Sequence, residues 1–425
     1  MRVLRFGSIG PAVQLLQLAL NRAGFGELAS DGIFGSATRA ALQRFQAAQG
    51  LTADGVAGPL THRQLLPWYT GYQVVRIRRG DTVWGVAQRY GSSVDAVLLA
   101  NPGIVPENLA VGSELVVPLP FPVVPTTIDW CSALTAYCVR GIGARYPFVG
   151  VGEIGKSVMG KPLWSLRLGG GENRVLYNAS HHANEWITTP LLLKFAEELA
   201  AAFAAGERLA GYAAAEILDY ATLALIPAVN PDGIDLVTGE LQQGEYYEGA
   251  RRIAAAWPRI PFPSGWKANI RGVDPNLQYP AGWEQAREIK FARGVRGPAP
   301  ADYVGPAPLT APESRAMYDY TQSFSPELTL SYHSQGRVIY WQYLDIEPPG
   351  ARRIAALFGA VSGYEVADVP FESGFAGYKD WFVQDYERPG YTIEVGRGVN
   401  PLPLSDFDAI YRENLGILTL AALVT

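Results

Sequence analysis

Three of the four histidines in this 425-residue chain, His181, His182 and His333, stand at the ends of apolar runs of strand length. The runs are Val175-Leu176-Tyr177, Leu223-Ala224-Leu225-Ile226, Leu328-Thr329-Leu330 and Tyr391-Thr392-Ile393, and helical patterns, including 189–204 and 407–423, lie between and after them. Strands alternating with helices predict an α/β domain over residues 126–425, a mixed sheet flanked by helices on both faces. Sheets of that kind collect their chemistry at the strand ends, where these histidines fall.

The first cluster reads Ser180-His181-His182-Ala183-Asn184-Glu185-Trp186. His182 and Glu185 are three apart at a strand-to-helix junction, so one turn can aim both side chains at one point. His333, at the end of a separate strand, supplies a third ligand. Two imidazoles and a carboxylate leave a fourth metal position open, as a catalytic rather than a structural site requires. His181 competes with His182 for the role, and the His-x-x-Glu spacing favours His182.

The first 120 residues follow other patterns. Asp31-Gly32-Ile33-Phe34-Gly35-Ser36-Ala37-Thr38 is echoed by Asp54-Gly55-Val56-Ala57-Gly58-Pro59-Leu60-Thr61, each a Gly-rich turn ending in a threonine of the kind that opens a helix. With Phe45-Gln46 between the copies, residues 1–68 resemble the peptidoglycan-binding domain family. Residues 69–121 read as strand, helix, helix, strand. Their Gly80-Asp81-Thr82, Asn101 and closing Val116-Val117-Pro118 look like a LysM domain. That resemblance implies glycan contacts from Gly80, Asp81 and Thr82 and from Pro102 to Ile104. Phe121-Pro122-Val123-Val124-Pro125 is a Pro-rich boundary and a stiff spacer.

Beyond it, Asn230-Pro231-Asp232-Gly233, Gly272-Val273-Asp274-Pro275-Asn276, Tyr332-His333-Ser334 and Thr392-Ile393-Glu394-Val395-Gly396 follow the His-x-x-Glu cluster in order. The set resembles the zinc metallocarboxypeptidase family across 126–425. The resemblance implies one zinc ion on His182, Glu185 and His333, with Glu394 as the general base that moves a proton from the attacking water to the leaving amine. It also implies a cation for the developing oxyanion, with Lys267 and Arg271 as candidates, Lys267 fitting the spacing better.

The chain departs from that pattern at three positions. Asn276 is kept, but Leu277 replaces the arginine that clamps a substrate's terminal carboxylate, and leucine has no guanidinium to offer it. Glu372 falls at the place of the family's mobile tyrosine, and Lys379 falls in the specificity pocket, where a cation suits an acidic side group. With the two N-terminal modules, these departures resemble the γ-D-glutamyl-L-diamino acid endopeptidases, which cut within peptidoglycan stem peptides. The reaction implied is hydrolysis of the γ-D-glutamyl–meso-diaminopimelate bond. A conventional metallocarboxypeptidase and an inactive wall-binding protein are the alternatives.

Composition narrows the partners. The formal net charge of −5 argues against nucleic acid, and no apolar run reaches the roughly 20 residues that span a bilayer. Residues 1–6 lack the apolar stretch of a secretory signal, so the expectation is synthesis in the bacterial cytoplasm and action on cell-wall or spore peptidoglycan. Cys131 and Cys138, seven apart in a helix-like segment, are too distant for a disulfide.

Overall fold

The computed structural model describes residues 2–424. Contacts divide it into two compact units, one of residues 1–129 with 133–150 and one of 130–132 with 151–425.

The first unit opens with three helices, α1 (Pro11–Arg22), α2 (Ser36–Ala48) and α3 (Pro59–Thr70). A buried glutamine explains the repeat. The Gln17 amide donates to Asp31 Oδ1 (2.8 Å), the Ile33 carbonyl (3.1 Å) and Thr38 Oγ1 (3.1 Å), while its oxygen accepts from Gly32 N–H at 3.0 Å. Gln46 makes the same four bonds in the second copy, to Asp54 Oδ1, the Val56 carbonyl, Thr61 Oγ1 and Gly55 N–H. Every polar atom of each buried amide is thereby satisfied. The threonines do not open the helices as expected. Gly35 and Gly58 are the N-caps, and Thr38 and Thr61 lie inside the first turn, holding the glutamines.

Next come β1 (Tyr72–Arg76), α4 (Val83–Arg89), α5 (Val94–Ala100) and β2 (Glu114–Pro118), with β1 and β2 antiparallel. Thr82 caps α4 and Ser93 caps α5. Asn101 joins the end of α5 to β2, donating to the Val97 and Val116 carbonyls and accepting from Val116 N–H. Helix α6 (Ser132–Arg145) closes the unit. Its Arg145, buried, donates to the carbonyls of Gly71, Leu119 and Phe121 at 2.6–3.0 Å, tying together the entry and exit of the β1–β2 module. A side chain at Gly141 would meet the Thr70 carbonyl at 2.1 Å, so α6 approaches α3 as only glycine permits. Cys131 and Cys138 are buried thiols.

The second unit contains an eight-stranded sheet. Its elements are β3 (Gly150–Lys156), β4 (Pro162–Leu168), β5 (Asn173–Ala179), α7 (Thr188–Ala205), a hairpin of β6 (Arg208–Leu209) and β7 (Tyr212–Ala213), α8 (Ala214–Tyr220), β8 (Ala221–Ile226), α9 (Pro231–Val237), α10 (Glu245–Ala255), α11 (Trp283–Ala292), α12 (Pro312–Phe324), β9 (Leu328–Ser334), β10 (Val338–Tyr340), α13 (Ala351–Ser362), β11 (Glu365–Ala367), α14 (Tyr378–Tyr386), β12 (Gly390–Val395) and α15 (Phe407–Ala421). The sheet order is β11-β10-β12-β9-β5-β8-β4-β3, and the four central strands, β12, β9, β5 and β8, are parallel. These four are the runs legible in the sequence, continuous apolar strands of the kind buried on both faces. The mixed sheet with helices on both faces is as expected.

Alternation along the strands sorts the helices. Tyr177, Leu330 and Tyr391 share one row across β5, β9 and β12. Tyr177 bonds the Leu418 carbonyl of α15 and packs on Phe195 of α7, and Tyr391 bonds the Ala351 carbonyl of α13. Leu176, one residue before Tyr177, faces the opposite core with Trp283 of α11, Met317 of α12 and Trp381 of α14.

Arg145→Ala leaves three buried carbonyls without their charged donor, and a loss of about 3 kcal/mol from the first unit is expected by thermal or denaturant unfolding. Glu313, on α12, accepts from Val158 N–H and the Asn269 amide, and burial raises its pKa from 4.5 to about 7. The folded state therefore holds a proton that the unfolded state releases between those pH values. Stability from this group is present below pH 4.5 and lost as pH rises through about 7. The change is roughly 3 kcal/mol at most. Unfolding of Glu313→Gln between pH 5 and 8 should show a correspondingly flatter loss than the parent.

Candidate active site

The parallel register builds the site. Glu394 of β12 lies opposite His333 of β9, and each stands three residues past the Tyr391–Leu330 row. An odd step turns both side chains to the face that carries α14. From the neighbouring β5 the chain runs through His181 and His182 into a single 3-10 turn at Ala183–Glu185, then into α7. Buried Asn230, after β8, fixes this crossing: its amide donates to the carbonyls of His181 and Ala268, and its own N–H to the Ser180 carbonyl. Ala183 N–H reaches the Lys267 carbonyl at 3.0 Å, joining the His-x-x-Glu turn to the segment that bears Lys267.

His182, Glu185 and His333 converge, each offering one donor atom within 4.8 Å of the other two. His182 Nδ1 is 3.0 Å from Glu185 Oε1, His333 Nδ1 is 2.8 Å from Oε2, and the two Nδ1 atoms are 3.2 Å apart. The far nitrogen of His182, Nε2, pairs with Asp274 Oδ1 at 3.2 Å. A carboxylate on the far nitrogen turns the Nδ1 lone pair toward the centre, the arrangement that supports a metal-binding imidazole. Two imidazole nitrogens and a carboxylate oxygen, one imidazole so oriented, fit a zinc ion. His181 does not join them. It is wholly buried, bonds Tyr279 Oη at 2.9 Å, and burial drives its pKa well below the ordinary value.

Opposed charges hold the centre together. Burial favours neutral Glu185, but His182, Lys267 and His333 outweigh it and keep the carboxyl ionised. Burial likewise opposes protonation of His182, and Glu185 with Asp274 overcomes it, to about 9. Burial, then the charge of Glu185, pushes Glu394 up to about 8. Lys267 Nζ stands 3.3 Å from Glu185 Oε1, and this carboxylate with Asp274 and Glu394 holds it protonated despite its partial burial.

A cavity of about 280 Å³ opens over these groups, lined also by Asn276, Leu277, Lys290, Asp302, Lys379 and Asp380. It includes Lys267 but not Arg271. The Asn269 side chain accepts from Arg271 N–H and Val273 N–H, and the tight turn leaves Arg271 exposed, outside the cleft. Glu372 also departs from expectation: it is exposed and paired with Arg293, while its neighbours Val369, Pro370 and Ser373 line the cavity. Lys379 lines the cavity too, but it is already partnered by Asp380 Oδ1 at 2.6 Å and by the Gln342 carbonyl. Asn276 Oδ1 accepts from Tyr378 N–H, and half-buried Leu277 packs on the core beneath.

In the first unit, Asp81 accepts from Arg78 N–H and pairs with Arg89 at 2.8 Å. Gly80 and Pro102 are exposed, Gly80 with φ 89°, and Ile104 packs partly on the module's core. Sequence reasoning gave no role to Asp274, Asn230, Lys290 or Asp302. Asp274 and Asn230 had a signal, since both lie inside motifs that were singled out.

Asp274→Asn keeps the shape but removes the charge on His182. Zinc affinity is expected to fall by about 10- to 100-fold, measured by chelator competition.

Comparison with known proteins agrees with this geometry. Residues 137–415 match the zinc carboxypeptidase family, 9–65 a peptidoglycan-binding domain and 75–118 a LysM domain. The chain is 43% identical over 280 residues to gamma-D-glutamyl-L-diamino acid endopeptidase 1 of Lysinibacillus sphaericus, covering 66% of this chain and 68% of that one. It is 40% identical over 277 residues to the protein YqgT of Bacillus subtilis, covering 64% and 72%. Bovine thrombin-activatable fibrinolysis inhibitor, in complex with a tick carboxypeptidase inhibitor, shares the fold at TM-score 0.54 and 17% identity, over 69% of this chain and 96% of that one. The chain is a zinc metallopeptidase and belongs to the zinc carboxypeptidase family.

Proposed function

We propose that the protein hydrolyses the γ-D-glutamyl–meso-diaminopimelate bond of peptidoglycan stem peptides. The observation that carries this reading is the composition of the cleft. His182 and His333 of the metal-binding triad and Glu394 share one cavity with Leu277, which cannot clamp a terminal carboxylate, and with three lysines, 267, 290 and 379. Its relative named as a gamma-D-glutamyl-L-diamino acid endopeptidase and the two wall-binding domain matches support the same substrate.

Zinc, when bound by His182, Glu185 and His333, supplies Lewis-acid polarisation of the scissile carbonyl and lowers the pKa of water. Glu394, on the cavity wall, takes the proton of the attacking water and returns it to the leaving amine. Lys267, cationic and a third exposed, faces the oxygen on which charge develops. The peptidoglycan-binding and LysM domains raise the effective concentration of stem peptides by tethering the chain to the wall. Gly80, Asp81, Thr82, Pro102 and Ile104 are the residues proposed to meet the glycan. Action on wall or spore peptidoglycan completes the reading. Among the described residues no helix is long and apolar enough to cross a membrane.

Mass spectrometry of a defined muramyl-peptide digest tests the reaction and the base together. The zinc-loaded protein is expected to release a new fragment with diaminopimelate at its amino end. Glu394→Gln should lose that activity by at least about a thousandfold. Release of terminal D-alanine alone would make the protein a carboxypeptidase instead.

A further inference from the structure

Two features of the cleft have no part in the chemistry described so far. Lys290, on α11, is only 6% exposed, yet it lines the cavity. Asp302, half-exposed, holds that ammonium through Oδ1 at 2.5 Å. A buried ammonium is costly, and an apolar side chain would serve the packing of α11 better, since its neighbours Trp283, Ala286 and Ile289 all belong to the core. Asp302 also has φ 68°, in the region that residues with a Cβ seldom enter. Its N–H is directed at Asp274 Oδ2 at 3.3 Å, the carboxylate whose other oxygen meets His182. The pair is thus anchored to the support of the metal centre, and the unusual backbone lies within the cleft, where such strain tends to serve function.

We propose that Lys290 and Asp302 form the subsite for the side-chain head of the diamino acid, its carboxylate on Lys290 and its ammonium on Asp302. The inference rests on the reading of the preceding section. An ammonium has three donors and a carboxylate several lone pairs, so each can keep its present partner and still take a substrate group. A zwitterionic head placed across the pair completes an alternating square of four charges. A substrate with only one of the two charges leaves half of that square unpaired, the kind of loss that gives large discrimination. The second pair, Lys379 with Asp380, is less suited. Both side chains are about 5% exposed or less, and Lys379 is further occupied by the Gln342 carbonyl, whereas the Asp302 side chain is 48% exposed.

The test compares kcat/KM of the zinc-loaded full chain on three peptides, L-Ala-γ-D-Glu-X. X is meso-diaminopimelate, L-lysine (ammonium only) or L-2-aminopimelate (carboxylate only). The parent protein is expected to prefer the first over each of the others by about 10- to 100-fold. Lys290→Gln should bring the diaminopimelate-to-lysine ratio toward one, and Asp302→Asn the diaminopimelate-to-aminopimelate ratio. Lys290→Met, which keeps the apolar burial, replaces the glutamine variant if that one does not fold. Ratios that stay at the parent values, or rates that fall equally on all three peptides at full zinc content, would overturn the subsite and leave the endopeptidase reading standing. No cleavage of any peptide by the parent protein would overturn both.

Discussion

The active site depends on the parallel pairing of β9 between β5 and β12. Parallel strands end together, so the residues at and just past their carboxyl ends share one rim, although His182, His333 and Glu394 are far apart in the chain. The pairing of His333 with Glu394 in the ladder also decides the face on which both side chains emerge. A slip of one residue in β12 would turn Glu394 into the core packed by α13 and α15, so the apolar rows that hold the register also hold the chemistry. Tyr177, Leu330 and Tyr391 secure that register from the far side, each tyrosine tied by its hydroxyl to a helix carbonyl.

What the strands bring together, charge then organises. Glu185 is almost wholly buried with two histidines and a lysine around it, and Asp274 lies behind one of those histidines. Removal of one member from such a group leaves a buried charge without its partner, which costs more than the pair contributes when intact. Two buried asparagines fix the backbone around these charges: the Asn230 side chain joins the carbonyls of His181 and Ala268, and that of Asn269 closes its own turn and donates to Glu313.

The parts legible in the sequence were those written locally. A run of apolar residues, a His-x-x-Glu turn and a histidine closing a strand are short patterns, and the structure places His182, Glu185 and His333 within reach of one another. The module repeats were legible for the same reason, though the role of their threonines was not: only the structure shows one buried glutamine per copy donating to each threonine hydroxyl. Spacing favoured Lys267 over Arg271 but gave no reason for Arg271 to lie outside the cleft; an asparagine side chain two residues before the arginine sets the turn that exposes it. Glu372 followed from counting back along the chain, which is blind to Arg293, whose partner it becomes through folding. Lys290 and Asp302 lie twelve residues apart on a helix and a loop with no motif between them, and their meeting is a product of tertiary structure alone.

Leu277 unites the specificity of the cleft with its stability. A guanidinium there would be a fourth cation beside Lys267, Lys290 and Lys379, in a cavity where Lys290 and Lys379 are each balanced by a dedicated aspartate. The three aspartates on the wall each have such a duty: Asp274 supports His182, Asp302 holds Lys290 and Asp380 holds Lys379. Leucine avoids an unbalanced charge and packs its methyl groups on the core below. The cleft therefore presents balanced pairs rather than one dominant charge, and it suits a substrate whose own charges come in pairs. A terminal carboxylate standing alone would gain little from such a surface, whereas an amino-acid head bearing both charges can satisfy both members of a pair at once. Under the subsite proposed above, Leu277 and the paired lysines act together, and the cleft recognises a zwitterion carried on a side chain in place of a chain end.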